Sequence, residues 1–179
     1  QHCNERILTR MGRATKKLEL LKLIDSARKI IPGVRLRTSL IVGFPTESEQ
    51  EFTELMQFVK DVEFERLGVF AYSKEEGTAA YGFEKQIPRA IRQERLNRIM
   101  ALQQKIAQEV NKRFLHQILD VLVDEAQEGV YLGRTEFDAP EVDGSVYVYA
   151  KRKLRVGEFV KVRITDTLEY DLVGQVIET

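Results

Sequence analysis

The chain has almost no cysteine: Cys3 is the single one in 179 residues. A lone thiol excludes an internal disulfide and suits a reducing cytoplasm. It also cannot hold an iron–sulfur cluster, which takes several thiolates. Long apolar runs are missing too. None approaches the roughly 18 residues of a membrane span, so no membrane is expected as a partner. The opening Gln1-His2-Cys3-Asn4-Glu5-Arg6 has neither Met nor a signal-peptide pattern; it reads as a cut end, and a fragment is expected. No internal repeat or low-complexity segment is evident.

Net charge is absent as well, with 28 Lys and Arg against 28 Asp and Glu. The zero hides an uneven spread. Residues 112–179 carry nine basic and thirteen acidic side chains, a balance of −4, which leaves +4 for residues 1–111. Nucleic-acid modules are usually basic, because phosphate neutralisation supplies most of their affinity. An acidic C-terminal module leans toward a basic protein partner. What is present is a globular composition, 43% hydrophobic and 31% charged, in a length that suits one ordinary domain or two small ones.

Leu20, Leu21, Ile24, Ala27, Ile30 and Ile31 have helical spacing over 15–31, and Pro32-Gly33 stops that helix. Residues 34–42 are apolar and β-branched, predicting a buried strand too apolar for a one-sided sheet. Phe52, Leu55, Met56 and Val59 recur at i, i+3, i+4 and i+7 of a helix predicted over 47–62, where Ser48 and Glu51 resemble a capping box. A second short strand is predicted over 67–72. The order α-β-α-β, with crossovers of this length, predicts parallel pairing. A polar loop follows over 73–86. Pro88 then suits the first turn of a long helix over 89–115, striped by Ile99, Leu102, Ile106, Val110 and Phe114. His116 is placed at its end. Beyond it the period changes. Leu119, Val121 and Val123 alternate with Asp120, Leu122 and Asp124, and further short strands are predicted over 146–149, 159–164 and 170–177, with Gly turns among them. That pattern suggests a small, partly closed barrel of the OB type. The boundary is placed near Asn111, giving domains 1–111 and 112–179.

The stretch 36–52, LRTSLIVGFPTESEQEF, reads as strand, tight turn, acidic cap and amphipathic helix. Turns of this βα kind are where such folds place ligands. Gly43 leaves a ligand room to approach the backbone, Pro45 stiffens the turn, and Glu47 sits by the helix N-terminus, where a carboxylate suits the dipole. The plainer reading is a capped βα turn and nothing more. Arg37 and Thr38 interrupt the apolar strand. A buried arginine is costly unless paired, so Arg37 meets either a ligand carboxylate or a neighbouring acid. Gln1 and His2 are candidate polar contacts at a strand end, or ordinary polar residues near a terminus. Tyr72 leaves the second strand into Glu75-Glu76, two carboxylates that repel wrong substrates, bind basic ones, or form a solvated loop. Cys3 is read as a small core residue, and 139–144, with its Asp-Gly, as a turn.

Taken in order, QH…MGR…LRTSLIVGFPTESEQEF…RLGVFAYSKEEGTAA…GRTEFDAPEVDG…YDLVG resembles the C-terminal part of a radical S-adenosylmethionine methylthiotransferase over nearly the whole chain. The resemblance implies an α/β fold: the C-terminal half of a radical-enzyme (β/α) barrel, then a five-stranded antiparallel β-barrel, the TRAM domain. One branch of the family modifies an adenosine of transfer RNA; the other methylthiolates an aspartate of the twelfth small-subunit ribosomal protein. Glu75-Glu76-Gly77-Thr78, GRTEFDAPEVDG and Tyr170-Asp171-Leu172 look like the second branch, whose substrate is basic, and transfer RNA is the less favoured partner. Cys3 and Thr46 depart from the family's usual small residue and Gly.

By the same resemblance the parent enzyme uses S-adenosylmethionine and two [4Fe-4S] clusters in the cytoplasm. Arg37, Ser39 and Gly43 would line the S-adenosylmethionine site, with Gln1 and His2 at the barrel mouth near the clusters. Tyr72, Glu75 and Glu76 would lie nearer the substrate. No catalytic residue and no metal ligand is assigned here, and the fragment is expected to be inactive alone. Two alternatives stay open: a transfer-RNA methylthiotransferase, and a non-enzymatic binding module.

Overall fold

A computed structural model describes residues 1–140 and 142–177. Glu141, within the turn motif 139–144, lies outside the described residues. The chain forms two compact units, Gln1–Gln103 and Gln104–Thr179.

The first unit runs α1 (Glu5–Arg10), α2 (Lys17–Ile30), β1 (Arg37–Val42), α3 (Glu49–Val62) and β2 (Arg66–Ala71), then a 3-10 turn (Ala79–Gly82) and the start of α4 (Arg89–Lys112). Local chemistry sets these limits. The Asn4 side chain accepts from the Arg6 and Ile7 amides and opens α1. Ser48 and Glu51 form the expected capping box of α3, and Glu63 closes that helix in the left-handed region. β1 and β2 pair in parallel from Arg37↔Arg66 to Val42↔Ala71, as the long crossover requires.

β1 is not buried on both faces. Leu40 and Val42 are buried, while Arg37 and Ser39 are exposed. The expectation failed because Val34 and Leu36 lie ahead of the strand and lengthened its apolar run artificially. Alternation then puts Leu40 and Val42 on one face and Arg37, Ser39 and Ile41 on the other. Helix α2 has the expected spacing, yet none of its residues is buried, and Leu18, Leu23 and Ile30 are exposed. α4 ends at Lys112, so His116 lies past the helix end, in the left-handed region.

The second unit is a closed barrel of β3 (Ile118–Gln127), β4 (Val130–Thr135), β5 (Val146–Tyr149), β6 (Phe159–Thr167) and β7 (Leu172–Val176), in the order β3-β4-β5-β7-β6. Strand β4 was not foreseen: VYLGRT joins a glycine and an arginine to only three apolar residues. Pairings are antiparallel except β5 with β7, which is parallel. That pair closes the ring, because β6 lies between them in sequence and reverses direction. Alternation fills the interior with Val121, Val123, Val146, Val148, Val162 and Ile164. Register shifts at Val123/Glu125 and Ile164/Asp166 add the local bend that closure needs.

Candidate functional site

The carboxyl ends of β1 and β2 open into a cavity of ≈ 750 Å³. Parallel strands end there and their loops diverge, which leaves a crevice. Phe44 and Tyr72, the residues at or just past the two strand ends, form its wall; their rings meet edge-on at 5.3 Å. Phe83 continues the cluster 6.0 Å from Phe44, and the Arg10 guanidinium lies 4.4 Å above the Phe83 ring. Met11 and Ile41 add apolar lining. The Tyr72 hydroxyl is buried with no hydrogen-bond partner among the described residues, and burial pushes its pKa up. A polar atom left this way at a cavity wall is suited to a ligand.

Of the residues singled out from sequence, Gln1, Tyr72 and Glu75 are brought together at this cavity. The Gln1 carbonyl accepts from the Ile41 amide at 2.8 Å, which fixes Gln1 beside β1, and its side-chain oxygen accepts from Arg13 Nε at 3.3 Å. Glu75 accepts from Ser73 Oγ at 2.6 Å. Glu76 is exposed and does not line the cavity. Arg37 opens β1 at its far end, about 17 Å from Val42 along the strand. Ser39 is exposed beside Gly68.

His2 and Arg37 line a second, smaller cavity of ≈ 240 Å³ with Leu23, Phe58 and Phe64; Gln1 borders both. His2 is 2% exposed. Its Nδ1 accepts from the Asn4 amide at 3.0 Å, so the proton sits on Nε2, which has no partner among the described residues. Burial pushes His2 down to about 4, partly offset by Glu51 and Glu54. Cys3 is fully buried, and burial pushes its thiol up to about 12, where it is inert. Among the described residues no three His, Cys, Asp or Glu side chains gather as a metal site.

The turn after β1 is built differently from its sequence reading. The room left by Gly43 is taken up by a side chain: a Cβ there would lie 2.2 Å from Arg92 Cγ. Gly43 also has φ +70, which favours glycine. Glu47 does more than cap. It is buried, and its Oε2 accepts from the Gly43 and Phe44 amides at 2.7 and 3.2 Å. Its Oε1 accepts from Arg95 Nη1 at 2.8 Å. Burial pushes the Glu47 carboxyl up, against the opposing pull of Arg95 and the two amides. Arg92 donates to the Tyr72 carbonyl. Sequence reading missed Arg10, Phe83, Arg92 and Arg95. One signal was present: Arg95 stands one helical step before Ile99 on the apolar stripe of α4, a place where a charge needs a partner.

In the second unit a cleft of ≈ 400 Å³ is bordered by Asp124, Glu125, Arg134, Pro140 and Asp143. Arg134 pairs with Asp124, and Asp143 accepts from the Ala139 amide at 2.7 Å.

The TRAM domain family matches residues 117–177, the closed barrel. Over almost its whole length the chain is similar to proteins named ribosomal protein uS12 methylthiotransferase RimO. The protein from Clostridium botulinum (strain Okra / Type B1) is 47% identical over 176 residues, 98% of this chain and 40% of that protein. Those from Petrotoga mobilis and Desulforamulus reducens are 42% and 46% identical, over 99% of this chain and 41% of each. The chain belongs to the RimO family. It spans about two fifths of the length of the curated relatives it matches, and corresponds to the C-terminal, TRAM-bearing portion of a RimO-type protein.

Proposed function

We propose that this chain is the part of a cytoplasmic radical S-adenosylmethionine methylthiotransferase that lines the ligand cavity and docks the substrate, an aspartate-bearing, basic small-subunit ribosomal protein. The observation that carries the reading is the ≈ 750 Å³ cavity at the ends of β1 and β2, walled by Phe44 and Tyr72 and bordered by Gln1 and Glu75, in a chain so similar to RimO proteins. The aromatic wall, the unpartnered Tyr72 hydroxyl and the Gln1 amide suit an adenosine-bearing ligand. The described residues do not fit an iron–sulfur cluster, and no step on this chain runs through one. When bound, S-adenosylmethionine supplies the radical that takes hydrogen from an unactivated carbon, and the methyl group of the product.

The chain's own residues bind and shield. Phe44, Met11 and Ile41 give the cavity an apolar lining, Phe83 packs against Phe44, and Tyr72 and Gln1 offer polar contacts. The acidic balance of residues 112–179, with Asp124, Glu125 and Asp143 at one cleft, suits a basic protein better than a phosphate backbone.

The test is mass spectrometry of uS12 and of transfer RNA after incubation with the full-length protein, reconstituted with iron, sulfide, reductant and S-adenosylmethionine. A methylthio group on a uS12 aspartate is expected, with transfer RNA unchanged and no turnover by the 179-residue chain alone. Modified transfer RNA with untouched uS12 overturns the substrate reading; turnover by the short chain contradicts the division of labour.

A further inference from the structure

We propose that Arg95 is a positioning residue: its guanidinium, acting through Glu47, holds the backbone turn that sets Phe44 as a wall of the ligand cavity. The inference rests on the reading of that cavity as the ligand site. Arg95 is 4% exposed and Glu47 2%. Arg95 Nη1 donates to Glu47 Oε1 at 2.8 Å and to the Glu47 carbonyl at 3.1 Å, and Nη2 reaches Glu49 Oε2 at 3.2 Å. Nη1 therefore grips both the side chain and the backbone of Glu47, and Nη2 fixes the plane of the guanidinium against Glu49. The other carboxylate oxygen, Oε2, accepts the Gly43 and Phe44 amides at 2.7 and 3.2 Å. These are the two amides that follow the last residue of β1. A carboxylate loaded on both oxygens has little rotational freedom, so the direction of the Gly43–Phe44 backbone follows from where Arg95 holds Glu47.

The Phe44 ring then meets Tyr72 at 5.3 Å. A second helix tightens the same turn: Arg6 of α1 donates to Thr46 Oγ1 at 3.1 Å and to the Thr46 carbonyl at 2.8 Å. Arg6 is exposed and its geometry replaceable by water, whereas Arg95 is buried and has no such substitute. Lysine at 95 keeps the charge and loses the planar guanidinium: an ammonium has no second nitrogen for Glu49 and no fixed plane to aim its N–H groups at the Glu47 carbonyl and carboxylate together.

Amide hydrogen exchange in the 179-residue chain reads this directly. Arg95→Lys is expected to speed exchange at Gly43 and Phe44 at least tenfold, with Leu55, Phe58 and Val59 of α3 within twofold of the parent. Arg98→Ala, which removes an exposed partner of Glu49, is expected to leave Gly43 and Phe44 unchanged. Should Arg95→Lys not fold, Glu47→Gln carries the same expectation. Unchanged exchange at Gly43 and Phe44, or equal acceleration through α3, overturns the proposal. In the full-length protein Arg95→Lys is expected to weaken S-adenosylmethionine binding at least tenfold, and equal affinity in parent and variant also overturns it. A parent protein that binds no S-adenosylmethionine sinks the function proposed above, while the exchange rates at Gly43 and Phe44 still decide the role of Arg95.

Discussion

His2 makes the first unit sensitive to mild acid. Burial holds its imidazole at about 4 against an ordinary 6.5, so between those values the unfolded chain binds a proton that the folded chain refuses. Stability gained by neutral His2 is complete above pH 6.5 and is lost as pH falls toward 4. Linkage puts the loss at roughly 1 kcal/mol by pH 5.5 and roughly 3 kcal/mol by pH 4. The structural cause is plain: Nδ1 is committed as an acceptor to the Asn4 amide, and Nε2 faces no anion at hydrogen-bond distance. Other groups titrate nearby. Glu51 is held down to about 2, chiefly by its hydrogen bond from Arg6, and Glu47 is raised by burial, with an opposite slope. A difference against His2→Gln removes both. The assay is urea unfolding followed by NMR methyl signals of Leu55 and Val59 from pH 7.5 to 4.5. The parent is expected to lose stability relative to His2→Gln as pH falls. Parallel curves for the two proteins would refute the reasoning.

Three further outcomes follow from the same geometry. Gly43→Ala is expected to cost roughly 1–3 kcal/mol, because it strains a φ of +70 and forces Arg92 from the turn; the Tyr72 amide signal should shift with it. Gly144→Ala puts a Cβ against the Tyr170 carbonyl oxygen, and should lower the barrel's unfolding free energy by roughly 1–3 kcal/mol while Leu55 and Val59 melt as before. Ser48→Ala removes the cap that accepts the Glu51 amide, at a cost of about 1 kcal/mol in urea unfolding of the first unit.

Much of the fold follows from local pattern. The spacing of Phe52, Leu55 and Val59 and the Ser48–Glu51 box give α3 almost to the residue, and the α-β-α-β order gives the parallel β1–β2 pair. Alternation around Val121 and Val123 gives the barrel's first strand. Strand β4 stayed hidden because Gly133 and Arg134 break its apolar rhythm, and the parallel β5–β7 closure is a long-range pairing that no local pattern encodes. The site was harder. Tyr72 follows a strand end, where period directs attention, whereas Gln1 reaches the cavity through the hydrogen bond it accepts from Ile41 of β1. Arg95 and Glu47 are about half a chain-unit apart in sequence and meet only through α4 docking, so their pairing is invisible before folding. Gly43 illustrates the limit: its missing Cβ was read as room for a ligand, and the structure gives that room to Arg92.

The proposed function requires an adenosine-bearing ligand to sit in the cavity at the carboxyl ends of β1 and β2. Titration of the isotope-labelled chain with S-adenosylmethionine, up to millimolar concentration, addresses this with backbone and methyl spectra. Shifts are predicted at Met11, Ile41, Phe44 and Tyr72, with Leu23 and Phe58 of the smaller cavity unmoved. Shifts confined to Leu23, Phe58 and Phe64, or a spectrum that ignores the ligand altogether, would contradict it.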